Sequence, residues 1–222
     1  MAKKVMTIAV LGGTGKEGSG LVLRWARSGY YVIIGSRDAG RAAAKAEELN
    51  SVLGDELVQG VSNADAAARA DLVVLSVPYS AHNAILEDVR DAVQGKILVD
   101  VTVPLQPPKV RTVHLPEGGA ASLEAQALLG DGVRVVAAFQ NVGSAHLGNL
   151  KQAINMDVLV CGDDADAKLE VFQLIEAIEG MRGIDAGPLA NAVAAEALTP
   201  VLLYINKRYK VAGAGIRITG LE

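Results

Sequence analysis

A cluster of glycines near the amino terminus has the spacing that binds a dinucleotide. The stretch from Gly12 to Gly18 reads GGTGKEG, and the pattern G-x-G-x-x-G falls on Gly13, Gly15 and Gly18. Glycines let a pyrophosphate approach the backbone closely, and a helix that begins there offers free N–H groups and a partial positive charge. The pattern is weak alone, but here it follows an apolar run and opens a helical stretch, as the motif requires. The residues expected to contact a cofactor in this loop are Gly13, Thr14, Gly15, Lys16, Glu17 and Gly18.

The residues after the second apolar run predict which dinucleotide is bound. A fold that selects NAD places Asp or Glu there to bind the ribose 2′-hydroxyl. This chain instead has Ser36 and Arg37, with Arg41 one helical turn later. Two guanidinium groups and a hydroxyl can donate charge-assisted hydrogen bonds to a 2′-phosphate, so the sequence favours NADP(H). Asp38 leaves the other interpretation open, in which the two arginines only open a solvated helix.

The hydride-transfer region is expected where the first, fourth and fifth strands end. Two predicted strands both end in Val-Pro, at Val77-Pro78 and at Val103-Pro104. Proline ends a strand with no N–H to satisfy, and the pair forms a rigid apolar wall suited to a flat ring. Gln140 follows the sixth strand at the same edge, where its amide either orients a ring or only shapes a loop.

No arrangement of residues in the sequence indicates proton transfer, nucleophilic attack or metal binding. The three histidines are scattered, Cys161 is expected to be a small buried side chain, and Asp100 is expected to cap a loop. A ketone reductase needs a positioned proton donor. Hydride transfer between two ring cofactors needs only stacking, distance and orientation. The sequence therefore predicts no catalytic side chain and no metal.

Alternating apolar strands and helices must position these residues, and they predict an α/β fold of the Rossmann type with a doubly wound, mostly parallel sheet. Strands are expected at residues 7–11, 31–34, 58–61, 71–77, 96–103, 133–139, 158–161 and 183–185. Helices are expected at residues 16–28, 39–53, 64–70, 82–93, 122–129, 165–179 and 189–209. The proline-rich stretch 104–119 is expected to be a functional loop, and residues 140–152 to be irregular.

The carboxy-terminal part is expected to be a smaller α/β segment. Residues 1–150 form the predicted NADP-binding domain, and residues 151–222 extend the sheet and form a dimer interface, unless the whole chain is one compact unit. The apolar stretch 189–209 contains Thr199-Pro200, which predicts a kink or a split with Thr199 capping the second half. A helix that is apolar all round must be covered, which favours a homodimer.

Composition excludes several classes of protein. The net charge of −4 gives no field that attracts nucleic acid or an anionic membrane. A single cysteine excludes an intramolecular disulfide and fits a reducing cytoplasm. No signal-peptide core and no uncharged run of membrane-spanning length is visible, so we expect a cytoplasmic protein without membrane partners.

Further stretches are more specific than the glycine motif and cover nearly the whole chain. They read LGGTGKEGSGLVLRWARSGYYVIIGSR, SVPYSAH, LVDVTVPL, VAAFQNV, DVLVCGDDADAK, GIDAGPLANA, EALTPVLLYIN and GIRITG. With these the chain resembles the NADPH:coenzyme F420 oxidoreductases, also called F420-dependent NADP reductases. The resemblance implies reversible direct hydride exchange between NADP(H) and the deazaflavin coenzyme F420, in a homodimer.

The resemblance also implies roles for individual residues. The 2′-phosphate would be held by Thr14, Ser36, Arg37 and Arg41, and the ring sites would be lined by Pro78, Val103, Gln140 and Val142. Other members have His or Asn where this chain has Gln140, so this position is not expected to be a catalytic acid. The acidic tail of the deazaflavin would need basic contacts, for which Lys109, Arg111 and Lys151 are candidates.

Two other functions remain compatible with the residues alone. One is an NADPH-dependent reductase of flavin, ferric complexes or a small imine. The other, from a different class, is a binding protein that senses NADPH and reports it to a partner.

Overall fold

The computed structural model describes residues 6–221, and its centre is an eight-stranded sheet in the order β3-β2-β1-β4-β5-β6-β7-β8. The strands are β1 Thr7–Leu11, β2 Tyr31–Ser36, β3 Val58–Ser62, β4 Leu72–Leu75, β5 Ile97–Asp100, β6 Arg134–Ala137, β7 Met156–Gly162 and β8 Met181–Asp185. Strands β1 to β6 are parallel, β7 runs antiparallel to β6, and β8 is parallel to β7. The predicted Rossmann-type sheet with a carboxy-terminal extension is confirmed.

Helices cover both faces of the sheet and bury two apolar cores. They are α1 Lys16–Arg27, α2 Ala39–Leu53, α3 Asn63–Arg69, α4 His82–Val89, α5 Ala121–Leu129, α6 Ser144–Leu147, α7 Ala165–Glu176 and α8 Ala192–Tyr209. Helices α1, α2 and α7 pack on one face, and α3, α4, α5 and the start of α8 pack on the other. Because both faces are covered, the strands are almost continuously apolar.

The ends of the strands are level on one edge of the sheet, which is what positions the site. Leu11 at the end of β1 pairs with Gly35 on one side and Leu75 on the other, and Leu75 pairs with Asp100. The loops after β1, β4, β5 and β6 therefore open on the same edge. The strand order reverses at β1, and such a switch point forms the crevice in which doubly wound sheets bind ligands.

Three predictions about helices need correction. Residues 140–152 contain the short helix α6, and the predicted helix 82–93 ends at Val89. Helix α8 continues through Pro200, so the predicted split does not occur. Thr199 does not cap a second helix, because its hydroxyl donates to the carbonyl oxygen of Gln140 at 2.7 Å. Because the Thr199 hydroxyl is used in this tertiary hydrogen bond, it does not cap a new helix.

The carboxy-terminal tail folds back and is fixed by a buried charge. The carboxylate of Asp157, on β7, accepts two bonds from Arg182 at 2.8 and 2.9 Å, one from Arg217 at 3.1 Å, and one from the backbone N–H of Ile218 at 2.7 Å. These bonds, with the bond from Arg182 as the largest cause, hold the pKa of Asp157 below its usual range. The N–H of Ala214 in the tail donates to the side chain of Asn206 on α8 at 2.6 Å, and Ala212 and Ala214 line the cavity described below.

The helical segment formed by residues 189–209 is unusually long and apolar. Residues 189–209 are long and apolar enough to cross a membrane by those two criteria, and about a third of that window, 33%, is buried within the protein. The segment also contains Glu196, which is only 1% exposed and binds the start of α5. Its inner face therefore belongs to the protein core.

Candidate functional site

A cavity of about 550 Å³ opens at the carboxyl edge of the sheet, between the first turn of α1 and helix α8. This volume is within the range of small-molecule sites. Nine of the residues predicted to bind a cofactor line it, namely Gly15, Lys16, Glu17, Gly18, Val77, Pro78, Val103, Gln140 and Val142. The structure therefore brings the glycine loop and both Val-Pro turns to one place.

The glycine loop is shaped for close backbone approach. The N–H of Gly15 donates to the carbonyl oxygen of Gly12 at 2.9 Å, and a Cβ on Gly18 would lie only 2.8 Å from that same oxygen. Gly12 itself has a φ of 81°, and a Cβ there would overlap the carbonyl oxygen of Ser76. Sequence reasoning missed Gly12, although the doubled glycine was its signal. Helix α1 begins at Gly15 without a side-chain cap, which leaves its first N–H groups for a ligand.

The residues predicted to bind the 2′-phosphate lie outside the cavity lining, at the end of β2. Arg37 and Arg41 are both exposed, and neither guanidinium group has a hydrogen-bond or ion-pair partner within residues 6–221. Asp38 is engaged otherwise, because it caps α2 and accepts from the N–H of Arg41 at 3.0 Å. The hydroxyl oxygen of Ser36 accepts from the backbone N–H of Asp38 at 3.2 Å. Two free guanidinium groups thus flank a carboxylate already used as a helix cap.

The remaining two of the predicted cofactor-binding residues, Gly13 and Thr14, also lie outside the cavity lining.

The wall opposite the glycine loop is apolar and held by buried amides. Val77, Pro78, Val103 and Val142 form it where β4, β5 and β6 end. Gln140 is 4% exposed and donates to the carbonyl oxygen of Asp100 at 2.8 Å. Its amide nitrogen therefore ties the β6 loop to the end of β5, which is a structural use that the sequence had left open.

A buried histidine–carboxylate pair lies behind this wall, and sequence reasoning missed it. Nε2 of His82 lies 2.7 Å from Oδ2 of Asp100, and both side chains are 0% exposed. The other carboxylate oxygen accepts from the N–H of Thr102 at 2.9 Å. Burial lowers the pKa of His82, but the hydrogen bond and charge of Asp100 outweigh burial and raise the pKa above its usual value. The expected loop-capping role of Asp100 is present, together with this unexpected partner.

Two further carboxyls, one buried and one half-buried, join elements around the site. Glu196 on α8 accepts from the N–H groups of Ala121 and Ser122 and from the Ser122 hydroxyl, at 2.7, 3.1 and 2.6 Å. Burial raises the pKa of Glu196 to about 7. Tyr79, which lines the cavity, donates to Glu124 at 2.8 Å. The Glu196 bonds connect α8 to the start of α5, and the Tyr79 bond connects the turn after β4 to α5.

Other candidate residues lie elsewhere. Lys109, Arg111 and Lys151 are not in the cavity lining, although their neighbours Pro107 and Val110 are. Nε2 of His146 lies 2.8 Å from the carbonyl oxygen of Gly213, so this side chain connects α6 to the carboxy-terminal tail. Cys161 is buried, and burial raises the pKa of its thiol to about 11. Within residues 6–221, no three side chains of the metal-binding types come together.

Comparison with known proteins agrees with a dinucleotide-binding site at this cavity. Residues 7–104 match the family model described as NADP oxidoreductase, coenzyme F420-dependent. The F420-dependent NADP reductase of Methanothermobacter thermautotrophicus is 45% identical over 98% of this chain and 96% of its own. That of Methanocaldococcus jannaschii is 42% identical over 98% and 100%.

A solved structure agrees in fold over the same length. The crystal structure of a candidate F420-dependent NADP reductase from Arthrobacter sp. FB24 superposes with a TM-score of 0.81, at 29% identity, over 96% of this chain and 99% of that one. The full-length identity above 40% to two curated relatives places the whole chain, and not only its first half, among these proteins. The chain belongs to the family of F420-dependent NADP reductases.

Proposed function

We propose that this chain transfers hydride directly and reversibly between NADP(H) and coenzyme F420. The relatives that match over the full chain carry this activity in their name. The observation that carries the proposal is that one cavity joins an uncapped helix N-terminus to an apolar wall. The helix N-terminus suits a pyrophosphate, and the apolar wall suits flat rings.

The residues present fit an NADP molecule. The first turn of α1 would bind the pyrophosphate, while Arg37 and Arg41, exposed and free of partners within residues 6–221, would hold the 2′-phosphate with Thr14 and Ser36. The buried hydroxyl of Thr102, in the cavity lining, has no hydrogen-bond partner among the described residues and is available to a ligand. A buried hydroxyl without a partner is costly, so a ligand that bonds it gains affinity.

The same cavity fits a reaction between two rings. When both are bound, the dihydronicotinamide supplies the hydride and the deazaflavin accepts it. The chain contributes Pro78, Val103, Gln140 and Val142, which would hold the rings in position and keep water from the hydride path, and the proton that the reduced deazaflavin also takes up would come from solvent. Positioning of this kind can account for a large part of a rate enhancement.

The function is tested by mixing the protein with NADPH and oxidised F420 and following the loss of the acceptor's visible absorbance. We expect turnover with F420 and much slower turnover with FMN. Faster turnover with FMN, a ferric complex or an imine would support the other reductase function, and tight NADPH binding without any turnover would support a sensor.

A pair of glycine variants makes the test specific to the site. Gly18→Ala places a Cβ 2.8 Å from the carbonyl oxygen of Gly12, so the loop must move and the KM for NADPH should rise about tenfold or more, equivalent to about 1.4 kcal/mol. Gly148→Ala is the control, because a Cβ there meets nothing within 4 Å. Equal kinetics in the two variants would contradict the placement of the pyrophosphate.

We further propose that the protein is a cytoplasmic homodimer, with residues 1–150 binding NADP and residues 151–222 forming the interface. Helix α8 leaves Val201, Tyr204 and Tyr209 exposed by 45%, 57% and 71%. A second copy of the chain would cover them. Size-exclusion chromatography should give about twice the chain mass of 23.0 kDa, and elution as a monomer would contradict the dimer.

A further inference from the structure

Glu17 lies in the glycine loop, at a position where the dinucleotide motif does not require a glutamate. It is in the first turn of α1, on the same face as Gly20 and Arg24. That face packs on the segment after β6. A Cβ on Gly20 would lie 2.5 Å from Cβ of Leu147, and Arg24 donates to the carbonyl oxygens of His146 and Leu147 at 2.9 and 3.0 Å. Glu17 therefore begins a face that leads toward the Val142 loop.

Glu17 lines the same cavity as Val142, Gly143 and Ser144. The side chain is half-buried, and it has no hydrogen bond or ion pair with any residue from 6 to 221. Burial raises its pKa to about 8. It is thus a group that changes from neutral to charged just above neutral pH, in the cavity that would receive the nicotinamide.

The charged groups around Glu17 do not neutralise it. Lys16, its neighbour on the same turn, and Tyr79 are the other titratable residues of the cavity lining. Burial and the Glu124 hydrogen bond raise the pKa of Tyr79 to about 12, so Tyr79 stays neutral. Arg24, on the same helix, and His146, on α6, bond backbone carbonyl oxygens. An ionised Glu17 would therefore act on whatever lies in the cavity.

We propose that Glu17 makes the site discriminate between oxidised and reduced cofactor, because its ionised carboxylate binds the cationic ring of NADP⁺ better than the neutral ring of NADPH. This inference depends on the proposed NADP(H) function. The two forms differ by one positive charge on the ring and have the same phosphates, so a nearby carboxylate distinguishes them by that charge alone. In a partly desolvated site such an interaction is stronger than in water.

The proposal has a definite sign. A positive ring beside Glu17 favours the ionised form, so the carboxyl has a lower pKa in the NADP⁺ complex than in the NADPH complex. By linkage, raising the pH must strengthen the binding of NADP⁺ relative to that of NADPH. A difference of one pKa unit between the two complexes corresponds to a tenfold change in the ratio of dissociation constants.

The test is calorimetric titration of the protein with NADP⁺ and with NADPH at about pH 6.5 and about pH 9. In the wild type, the ratio of the NADPH to the NADP⁺ dissociation constant should rise about tenfold between the two pH values. In Glu17→Gln this rise should disappear, and the ratio at both pH values should equal that of the wild type at low pH. Glu87→Gln, which removes an exposed carboxylate of α4, is the matched control and should behave as the wild type does.

The possible outcomes are distinguishable. A wild-type ratio that is the same at both pH values, or a rise that persists in Glu17→Gln, overturns the inference. Tighter binding of both forms by the same factor in Glu17→Gln at high pH also overturns it, because the carboxylate would then only repel phosphate. Failure of the wild type to bind either form would instead refute the proposed function itself. The 2′-phosphate titrates in both cofactors alike and cancels in the ratio.

Discussion

Replacing Asp100 with Ala removes one half of the buried pair that lies behind the ring wall. The change leaves His82, which is 0% exposed, without its 2.7 Å partner, and leaves the N–H of Thr102 without an acceptor. Removing one partner of a buried charged pair costs about 3–5 kcal/mol. For a chain of this size, each kcal/mol shifts the melting temperature by about 2–4 °C, so we expect a fall of roughly 6–20 °C.

Asp100→Asn removes the negative charge of this pair and keeps the size of the side chain. The amide keeps the size and one oxygen for the Thr102 N–H, so we expect a smaller loss, about 1–2 kcal/mol. The pKa of His82 in the folded wild type is raised, which means that the pair stabilises the fold fully below the unfolded histidine pKa of about 6.5. That stabilisation is lost as the pH rises through the folded pKa. Without the carboxylate, burial, which lowers the pKa of His82, is opposed only by the Asn83 hydrogen bond and the Glu124 charge, so this loss with rising pH should shrink in Asp100→Asn.

Urea unfolding at about pH 6 and about pH 9, at one fixed protein concentration, measures both effects. The wild type and the two variants should differ more at the lower pH. The reasoning is refuted if Asp100→Ala unfolds within about 1 kcal/mol of the wild type, which is far below the expected cost of an unpaired buried group. It is equally refuted if Asp100→Asn keeps the wild-type dependence on pH.

Three further predictions concern the cofactor edge, the β6 loop and the tail. Replacing Arg37 and Arg41 with Ala should raise the KM for NADPH far more than that for NADH in steady-state assays, and an equal change would exclude contact with the 2′-phosphate. Thr199→Val removes the 2.7 Å bond to the carbonyl oxygen of Gln140, so kcat/KM should fall about tenfold while Thr199→Ser keeps most of it. Deleting residues 211–221 removes two of the donors to the buried Asp157 carboxylate, so the melting temperature should fall by about 4–12 °C, and an unchanged value would show that the tail does not stabilise β7.

The alternation of strands and helices and the glycine loop could be predicted because both are local in sequence. Alternating apolar runs and helices of ordinary length leave few topologies for a parallel sheet. The G-x-G-x-x-G pattern between a strand and a helix has one common structural meaning. From the level strand ends it also follows that Val77-Pro78 and Val103-Pro104 meet, as the cavity lining confirms.

The buried polar groups could not be predicted because they depend on tertiary register. His82 and Asp100 are 18 residues apart, the first at the start of α4 after β4 and the second at the end of β5, so their contact appears only when β4 and β5 are paired. Glu196 and Ser122 are 74 residues apart, and they meet because α8 returns over α5. Pro200 was expected to break its helix on local grounds, but α8 continues through it while packed against the core.

The central claim is that the cavity passes hydride directly from one ring to the other. The most direct measurement uses NADPH that carries deuterium at C4 of the nicotinamide, on each face in turn, with oxidised F420 and no added flavin. We predict that mass spectrometry will find one deuterium in the reduced deazaflavin from one of the two labelled faces, with none lost to water. Recovery of the label in the solvent from both faces, or no reduction at all, would contradict this account.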